Sequence, residues 1–346
     1  MLYTLQATVP VSLFDGLSQQ ENNAPVRFEL VVRDASMHQL RPATPAAAGK
    51  WYAALPPIDL ETTELVVEAP GEGPGNWAGA PGITFDPLGA RWLLTWRERS
   101  AERRGHTFHL AESEDGLYFT EIWACTASDF ESASIEKGSL LYCPDGLYRL
   151  YLSYECPTGG WQIDVLEAER PELLDPYTRH EILTPKSLGT GHVKDPFVLN
   201  IGGQYCLYAD FGEGYEATGF ASSPNGRDFH WHGQVLAPGE GWDSLSARAT
   251  CVCRMQGLWL MFYDGARARE EVREEKAGLA ISWDMFNWHK LSTQSHFYAS
   301  PFATGSLRYL ECVPFERDSY WLYFEAARAD GAHELRRATF SAYFEG

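Results

Sequence analysis

The sequence lacks the basic excess that nucleic-acid-binding and anionic-membrane-binding proteins usually carry. Its 346 residues include 28 Lys and Arg against 47 Asp and Glu, which gives a formal net charge of −19. No basic tail or patch stands out along the chain, and a negative field repels polyanions. We therefore expect no nucleic-acid partner and no membrane partner, and the charge favours a soluble protein with a small or neutral substrate.

The sequence also lacks the cysteine and histidine spacings of metal sites and disulfide frameworks. Its 7 cysteines are an odd number, show no Cys-x-x-Cys spacing and stand beside no paired histidines. We interpret all of them as small buried hydrophobic residues. The sequence predicts neither a metal site nor a cofactor.

A long apolar run is missing as well. The first residues, MLYTLQATVPVSLFDG, have neither the basic start nor the apolar stretch of a signal peptide, and no segment approaches the length of a membrane span. Cytoplasmic localisation is the expectation from this pattern.

Aromatic residues, in contrast, are abundant, with 12 Trp, 17 Tyr and 18 Phe. They favour β structure, and a flat ring can also stack on a sugar, for which Trp77 is a candidate.

No long amphipathic helix pattern occurs. The charged segment RAREEVREEK (267–276) could form one short surface helix with i,i+4 ion pairs.

A hairpin pattern repeats five times. Each copy has an apolar strand, a polar or Gly-containing turn and a second strand led by an aromatic residue. The leading aromatics are 54 to 61 residues apart, at Trp92, Tyr148, Tyr205, Trp259 and Tyr320. Between hairpins, segments such as LAESEDGLYF (110–119) and LAISWDMFNW (279–288) add two more strands per unit.

Four-stranded units repeated along a chain are typical of a β-propeller. The sequence therefore predicts an all-β fold, a five-bladed β-propeller of four-stranded antiparallel blades. The fifth unit ends early, so we expect TELVVEAP (63–70) to pair with residues 333–340 and close the ring. Residues 63–346 would form the propeller, and residues 1–62 an N-terminal extension packed on it.

This geometry brings charged residues to one rim of the propeller. The start of each first strand lies beside the end of the antiparallel second strand. The carboxylates predicted there are Glu98, Glu136, Glu155, Asp195, Asp210, Asp264, Glu311 and Glu325, and the cations are Arg97, Lys137, Lys194, Arg248, Arg308 and Arg328. Two carboxyls in different environments suit acid and base catalysis of acetal hydrolysis, whereas ion pairs that tie blades together are the alternative for each residue.

The segment KDPFVLNIGGQYCLYAD resembles the Asp-Pro strand and hairpin of the five-bladed propeller glycosidases, namely glycoside hydrolase families 43 and 32 and the mannoside phosphorylases of family 130. ECVPF, from Glu311, is similar to the acid-bearing Glu-Cys motif of family 32. LMFYDGARAREEVREEKAGLAIS looks like the fourth-blade pattern of uncharacterised bacterial relatives. The resemblance covers about residues 63–346 and implies a carbohydrate-active enzyme that cleaves a glycosidic bond.

The chain departs from the pattern of those families. They place acids at the first-strand starts of three consecutive blades, beginning with the first, where this chain has Ala80. Either a site is rebuilt around Asp195 with Glu136, Asp264, Glu311 or Glu325, or a non-catalytic sugar-binding propeller remains. In the first case Asp195 is a general base or an orienting acid, and Glu136 or Glu311 is the general acid.

The substrate expected is a small carbohydrate. Arginines such as Arg97, Arg248 and Arg328 suit carboxylate or phosphate, so an anionic sugar, or a phosphorylase or lyase reaction, is an alternative to simple charge balance. The predicted substrate-binding residues are His192, Lys194, Arg97, Arg248, Asp210, Glu325, Arg328 and Trp77.

Overall fold

The computed structural model describes residues 2–9, 26–33, 37–42, 50–54, 58 and 60–345, apart from residues 158, 256 and 257. The described chain is nearly all β structure. At the N-terminal end, β1 (Leu2–Val9), β2 (Val26–Arg33), β3 (Met37–Pro42) and β4 (Lys50–Ala54) form an antiparallel meander. The domain boundary at residue 62 stays a prediction.

Residues 60–345 contain five consecutive four-stranded antiparallel units. Unit one is β6 (Trp77–Asp86), β7 (Arg91–Arg99), β8 (Thr107–Ser113) and β9 (Thr120–Thr126). Unit two is β10 (Ile135–Tyr142), β11 (Tyr148–Glu155), β12 (Trp161–Ala168) and β13 (His180–Leu183). Unit three is β14 (His192–Ile201), β15 (Gln204–Gly212), β16 (Glu216–Ser223) and β17 (His230–Leu236).

The last two units follow the same order. Unit four is β18 (Ser246–Met255), β19 (Leu258–Ala266), β20 (Lys276–Ser282) and β21 (His289–Lys290). Unit five is β22 (Leu307–Glu316), β23 (Ser319–Ala327), β24 (His333–Glu345) and, from earlier in the chain, β5 (Glu64–Val67). The predicted pairing of residues 63–70 with residues 333–340 is present, since Glu64 lies opposite Arg337 and Val67 opposite Leu335.

Helical structure is confined to short connections in the described residues. The one α-helix there is α1 (Pro185–Leu188), and the 3₁₀ helices are Ala127–Phe130, Pro171–Leu173, Pro176–Thr178 and Arg269–Glu271. The prediction of a surface helix over residues 267–276 is therefore wrong, since the helical part of this segment is one 3₁₀ turn, Arg269–Glu271. Its C-terminal end is drawn inward because the carboxylate of Glu275 is buried between Arg248 and Arg308.

The units meet through their first strands. β6 contacts β10, β10 contacts β14, β14 contacts β18, β18 contacts β22, and β22 contacts β6. Apolar residues of these strands and of their partners fill the space between the units, which removes large apolar areas from water. All seven cysteines are free and buried, as the sequence predicts.

Every first strand carries an irregularity near its start. The pairing register shifts by one residue between the first and second strands of all five units. In three units the extra residue has a left-handed backbone, with φ of 55° at Ala80, 54° at Asp195 and 52° at Tyr309. A β-bulge re-aims the side chains beside it. The bulged end of each unit is therefore where side chains turn towards the neighbouring units.

Candidate functional site

Side chains of opposite charge face each other at the bulged ends of units three, four and five. The directly opposed pairs are Lys194–Asp210, Arg248–Asp264 and Arg308–Glu325. Their nitrogen–oxygen distances are 3.6, 3.5 and 2.8 Å in that order. The repeated bulge thus places three ion pairs at corresponding positions of three units.

Unit one departs from this pattern and bridges its neighbours. Gly79 stands opposite Arg97, whose guanidinium lies 3.5 Å from Glu325 of unit five and 3.2 Å from Glu136 of unit two. The carboxylate of Glu325 occupies the space beside Gly79 and accepts the backbone N–H of Ala80 at 3.1 Å. A glycine is required here because a Cβ at residue 79 would lie 1.6 Å from Glu325 Oε2.

Replacing Gly79 by Ala should therefore displace a buried carboxylate that holds two arginines. We expect a loss of roughly 3 kcal/mol in the free energy of unfolding. Gly241→Ala is the matched control, since the nearest atom to its added Cβ is 3.7 Å away. Urea unfolding of both variants measures the difference, and equal stabilities would show that Glu325 moves without cost.

Eleven side chains form one network of ion pairs at this end, and the buried pair Lys137–Glu311 stands beside it without a shared partner; we name the two sets together the charged ring. It has eight carboxylates and five cations. Its members are Arg97, Glu136, Lys137, Lys194, Asp195, Asp210, Glu216, Arg248, Asp264, Glu275, Arg308, Glu311 and Glu325. Ion pairs thus link three of the four predicted catalytic carboxylates, Glu136, Asp195 and Asp264, whereas Glu311 pairs with Lys137. Each cation of the ring has a carboxylate partner.

Asp195 lies within this ring and is 1% exposed. Its Oδ2 is 3.4 Å from Lys194 Nζ and 3.4 Å from Arg248 Nη1, and it accepts the hydroxyl of Tyr309 at 3.3 Å. Burial alone would raise the pKa of Asp195, but the charges of Lys194, Arg248 and Lys137 outweigh it and lower this pKa to about 2. Asp195 is therefore an ionised carboxylate at neutral pH.

Glu311 has the opposite character. Its buried carboxyl accepts one hydrogen bond from Lys137 Nζ at 3.1 Å, and burial raises its pKa to about 7 against the opposing effect of that ammonium. Lys137 also lowers the pKa of Asp195, so one ammonium acts on both carboxyls. Diverging carboxyl pKa values are one requirement for an acid and a base that act together.

Asp264 and Glu275 form a second pair whose pKa values diverge. Burial raises the pKa of Asp264 to about 8, with Arg248 opposing and the Glu275 carboxylate contributing. Burial acts on Glu275 too, but Arg248 and Arg308 lower its pKa to about 2. The Asp264 carboxyl also accepts the backbone N–H of Tyr309 at 3.1 Å. Asp264 is fully enclosed, which favours a structural role in holding the bulge of unit five.

The raised pKa of Asp264 has a consequence for stability. Because the folded protein holds this proton up to about pH 8 while the unfolded chain releases it near pH 4, stability falls as the pH rises between those values. Asp264→Asn removes this titration, so we expect its unfolding free energy to fall with pH less steeply, by up to about 1.4 kcal/mol per pH unit. Denaturant unfolding of both proteins at several pH values from 5 to 7 measures the slopes. Equal slopes would mean that Asp264 is ionised when folded.

Exposure differs among the members of the charged ring. Members from units four and five, such as Arg248, Asp264 and Glu325, are buried. Towards units two and three, the side chains of Glu136 and Glu216 are 12% and 14% exposed. Lys194 and the neighbouring His192, which is 3.3 Å from Asp210, are similarly accessible. The ring side chains that reach the surface therefore belong to units two and three, although Lys137, Asp195 and Asp210 of the same units are buried.

Unpartnered polar atoms occur in the same region. Asp195 Oδ1, Asp210 Oδ1 and Arg97 Nη1 are buried and have no hydrogen-bond partner among the described residues. Buried polar atoms are nearly always paired, so an unpaired set calls for a bound group or water. A carboxylate oxygen of this kind can accept a hydrogen bond from a hydroxyl group or from water.

Two predicted substrate-binding residues lie elsewhere. Trp77 is buried because its ring stacks on His333 at 4.6 Å and lies within 5.0 Å of both Arg99 and Arg308, so it cannot stack on a sugar. Arg328 is outside the charged ring, since it pairs with Asp330 of the following turn at 2.7 Å. The prediction of sugar contact by Trp77 is therefore wrong, and that of substrate contact by Arg328 stays a prediction.

Sequence reasoning missed three residues near the site. Glu275 pairs with Arg248 and Arg308 inside the ring, and His333 Nδ1 lies 2.7 Å from Glu325 Oε1 at its edge. Burial raises the pKa of Glu216, as does the charge of Asp210. Glu216 and His333 are the first residues of third strands, which form a further ring of positions at the bulged end. That repeat is the signal that could have found them.

Metal-binding clusters and membrane-spanning helices are absent from the part of the chain that the structure describes. No group of three or more His, Cys, Asp or Glu side chains there is arranged to hold a metal ion. No helix among those residues has the length and apolar character needed to cross a membrane.

By sequence, no protein-family model and no curated protein matches the chain. Comparison of structures finds many. A family GH130 glycoside hydrolase that targets β-1,2 mannosidic linkages in Candida mannan has a TM-score of 0.59 at 14% identity, covering 80% of this chain and 93% of that chain. A GH43_1 enzyme from Xanthomonas citri complexed with xylotriose has a TM-score of 0.58 at 13% identity, with coverages of 80% and 90%.

An α-L-arabinofuranosidase from Lactobacillus brevis is similar to the same degree, with a TM-score of 0.58 and 13% identity over 76% of this chain and 90% of that chain. The fold is thus that of the propeller-type glycoside hydrolases and phosphorylases, and the resemblance to families 43 and 130 is confirmed at the level of fold. At these identities the comparison shows the fold alone. The chemistry has to be inferred from the residues of this chain.

Proposed function

We propose that the protein is a carbohydrate-active enzyme that hydrolyses a glycosidic bond at the bulged end of its units. The observation that carries the proposal is the pair Asp195 and Glu311. One carboxyl is ionised and has an unpartnered buried oxygen, the other has a pKa of about 7, and Lys137 acts on both. This pair lies in the fold of known glycosidases.

The architecture that we propose for it is a closed five-bladed propeller. The five four-stranded units, the contact of β22 with β6 and the pairing of β5 with β24 support this arrangement. Each unit would be one blade, and β5 would complete the fifth. A crystal structure with a different number of blades, or with β5 detached from β24, would contradict it.

The two carboxyls take different roles in the proposed reaction. Glu311 donates a proton to the oxygen of the leaving group, because a carboxyl with a pKa near 7 is partly protonated at neutral pH. Asp195, ionised throughout this range, orients the attacking water and accepts its proton. Glu136 lies 3.2 Å from Arg97 and helps to hold that guanidinium in the charged ring.

The charge count supports a neutral sugar. Even with Asp264 protonated, the ring has seven other carboxyl groups against five cations, and each of its five Lys and Arg side chains has a carboxyl group within 4.0 Å. An anionic sugar or a phosphate would need a cation that these carboxylates do not already neutralise. The arginines are thus better explained by charge balance than by recognition of an anion.

A panel of 4-nitrophenyl xylosides, arabinofuranosides and mannosides, with oligosaccharides of the same sugars, tests the proposal. These sugars are chosen because the structural relatives are named for them. Turnover without phosphate supports a hydrolase, and turnover that requires phosphate supports a phosphorylase. If a sugar raises the melting temperature but is not turned over, the protein is a sugar-binding protein and the proposed enzyme activity is wrong.

A further inference from the structure

Arg99 is a cation without a carboxylate partner at the bulged end of unit one. It is the last residue of β7 and is partly exposed, unlike Arg97 two residues earlier. Its guanidinium lies 4.5 Å from the centre of the Trp77 ring and has no ion pair or hydrogen bond to a described residue. The indole holds the guanidinium in place, and its N–H groups remain free to donate to a ligand.

The charges that act on Arg99 are mainly positive. Burial lowers the pKa of Arg99 to about 10, and the charges of Arg97, Arg273 and Arg308 add to this effect, whereas that of Glu136 opposes it. The carboxylate of Glu136 lies 3.2 Å from Arg97 and is held there. A bound oxyanion would supply the negative charge that Arg99 lacks.

Arg273 is a second cation without a carboxylate partner among the described residues, and it belongs to unit four. It is exposed in the connection between β19 and β20. Its backbone is left-handed, with φ of 84°, and its backbone N–H donates to Glu275 Oε1 at 2.8 Å. A buried carboxylate thus holds a costly backbone conformation at Arg273, and conformations of this kind occur most often at functional sites.

One buried cluster anchors both cations. Arg308 lies 5.0 Å from the centre of the Trp77 ring, on which Arg99 also lies. The same Arg308 pairs with Glu275 at 2.8 Å. Arg99 is therefore fixed to the cluster through the indole, and the backbone of Arg273 is fixed to it through Glu275. This arrangement keeps the two guanidinium groups at the same end of the fold before any ligand binds.

We infer that Arg99 and Arg273 form a binding site for a small oxyanion, namely the carboxylate of a uronic acid or a phosphate group, beside the charged ring. The cations of the ring already have carboxylate partners, so the site lies outside the ring. Guanidinium groups bind both kinds of oxyanion through charge-assisted hydrogen bonds. The inference goes beyond the proposed function, because the binding of an anion can be measured without turnover.

Calorimetric titration of the wild-type protein at low ionic strength, in a buffer without phosphate, tests the site. The ligands are sodium glucuronate, glucose 6-phosphate and inorganic phosphate, and methyl glucoside is the neutral control. We expect at least one anion to bind with a Kd below roughly 1 mM, and methyl glucoside to bind at least about tenfold more weakly. The anion that binds identifies the source of the oxyanion.

Arg99→Gln and Arg273→Gln should each weaken this binding roughly tenfold. Arg254→Gln is the matched control and should leave the Kd unchanged. Arg254 is exposed and also lies over an indole, 5.7 Å from the centre of the Trp259 ring, but it is near the hairpin turn of unit four. If Arg99→Gln folds poorly, the exposed Arg273 supplies the test.

Three results would overturn the site. They are no binding of any of the three anions by the wild type, equally tight binding of methyl glucoside, and an unchanged Kd in Arg273→Gln or in folded Arg99→Gln. None of them bears on the proposed hydrolysis, which the glycoside panel tests separately.

Discussion

Replacing Asp195 by Asn should lower turnover per folded molecule by roughly 10²–10⁴, the usual effect of losing a general acid or base. Asn keeps the shape and can still accept the Tyr309 hydroxyl. It cannot accept a proton from water, and it leaves Lys194 and Arg248 with one carboxylate fewer. The loss should appear mainly in kcat, because Asp195 acts on the reacting atoms.

The same variant should also lose stability. The pKa of Asp195 is lowered from 3.8 to about 2, so its charge stabilises the fold above about pH 4, and this contribution is lost as the pH falls through 2. At neutral pH the lowered pKa corresponds to about 2 kcal/mol. The stability loss and the turnover loss must therefore be measured separately, by urea unfolding and by kinetics normalised to folded protein.

Asp86→Asn is the matched control for Asp195→Asn. Asp86 is also buried and pairs with an arginine, Arg91, at 2.9 Å, but it lies at the hairpin turn of unit one, at the far end of the strands. We expect this variant to lose stability and to keep full turnover per folded molecule. If Asp195→Asn behaves in the same way, Asp195 is a structural residue that starts a strand and pairs with its neighbours.

Replacing Glu311 by Gln should remove the alkaline limb of the pH profile. In the wild type, kcat/KM should fall as the pH rises through about 7, because the proton donor is lost. The variant should lose roughly 10²–10⁴ in turnover on glycosides with poor alcohol leaving groups. It should lose far less on a dinitrophenyl glycoside, whose leaving group needs no proton.

Two further variants make the Glu311 result specific. Glu167→Gln breaks ion pairs of Arg149 and Arg227 at the hairpin-turn end of units two and three, so it should leave the pH profile unchanged. Glu216→Gln tests a second carboxyl with a raised pKa, whose side chain is more exposed than the buried Glu311. If Glu216→Gln shows the leaving-group dependence and Glu311→Gln does not, the assignment of the proton donor to Glu311 is wrong.

The repeating part of the fold could be predicted from the sequence because hairpin signals are local. Turn residues between apolar and aromatic-led strands mark all five units, and the short fifth unit indicates the pairing of residues 64–67 with β24. The clustering of charges follows from the same repeat, since corresponding positions of antiparallel hairpins lie at one end. Asp195 and Arg248 meet for this reason.

What the sequence could not supply are contacts between distant units. The segment around Glu275 has the composition of a solvated helix, and its burial depends on Arg248 and Arg308, which no local pattern connects to it. Trp77 looks accessible at a strand start until His333 is found stacked on it. The pairing of Arg328 with Asp330, in contrast, had a local signal in the turn sequence RADG.

The most direct test of the central claim is cleavage of a panel glycoside in H₂¹⁸O, with the product analysed by mass spectrometry before uncatalysed exchange. We expect ¹⁸O at the anomeric carbon of the released sugar, at a rate that Asp195→Asn lowers by roughly 10²–10⁴ and Asp86→Asn does not. A sugar phosphate, an unsaturated sugar without ¹⁸O, or no product from any glycoside of the panel would contradict hydrolysis at Asp195.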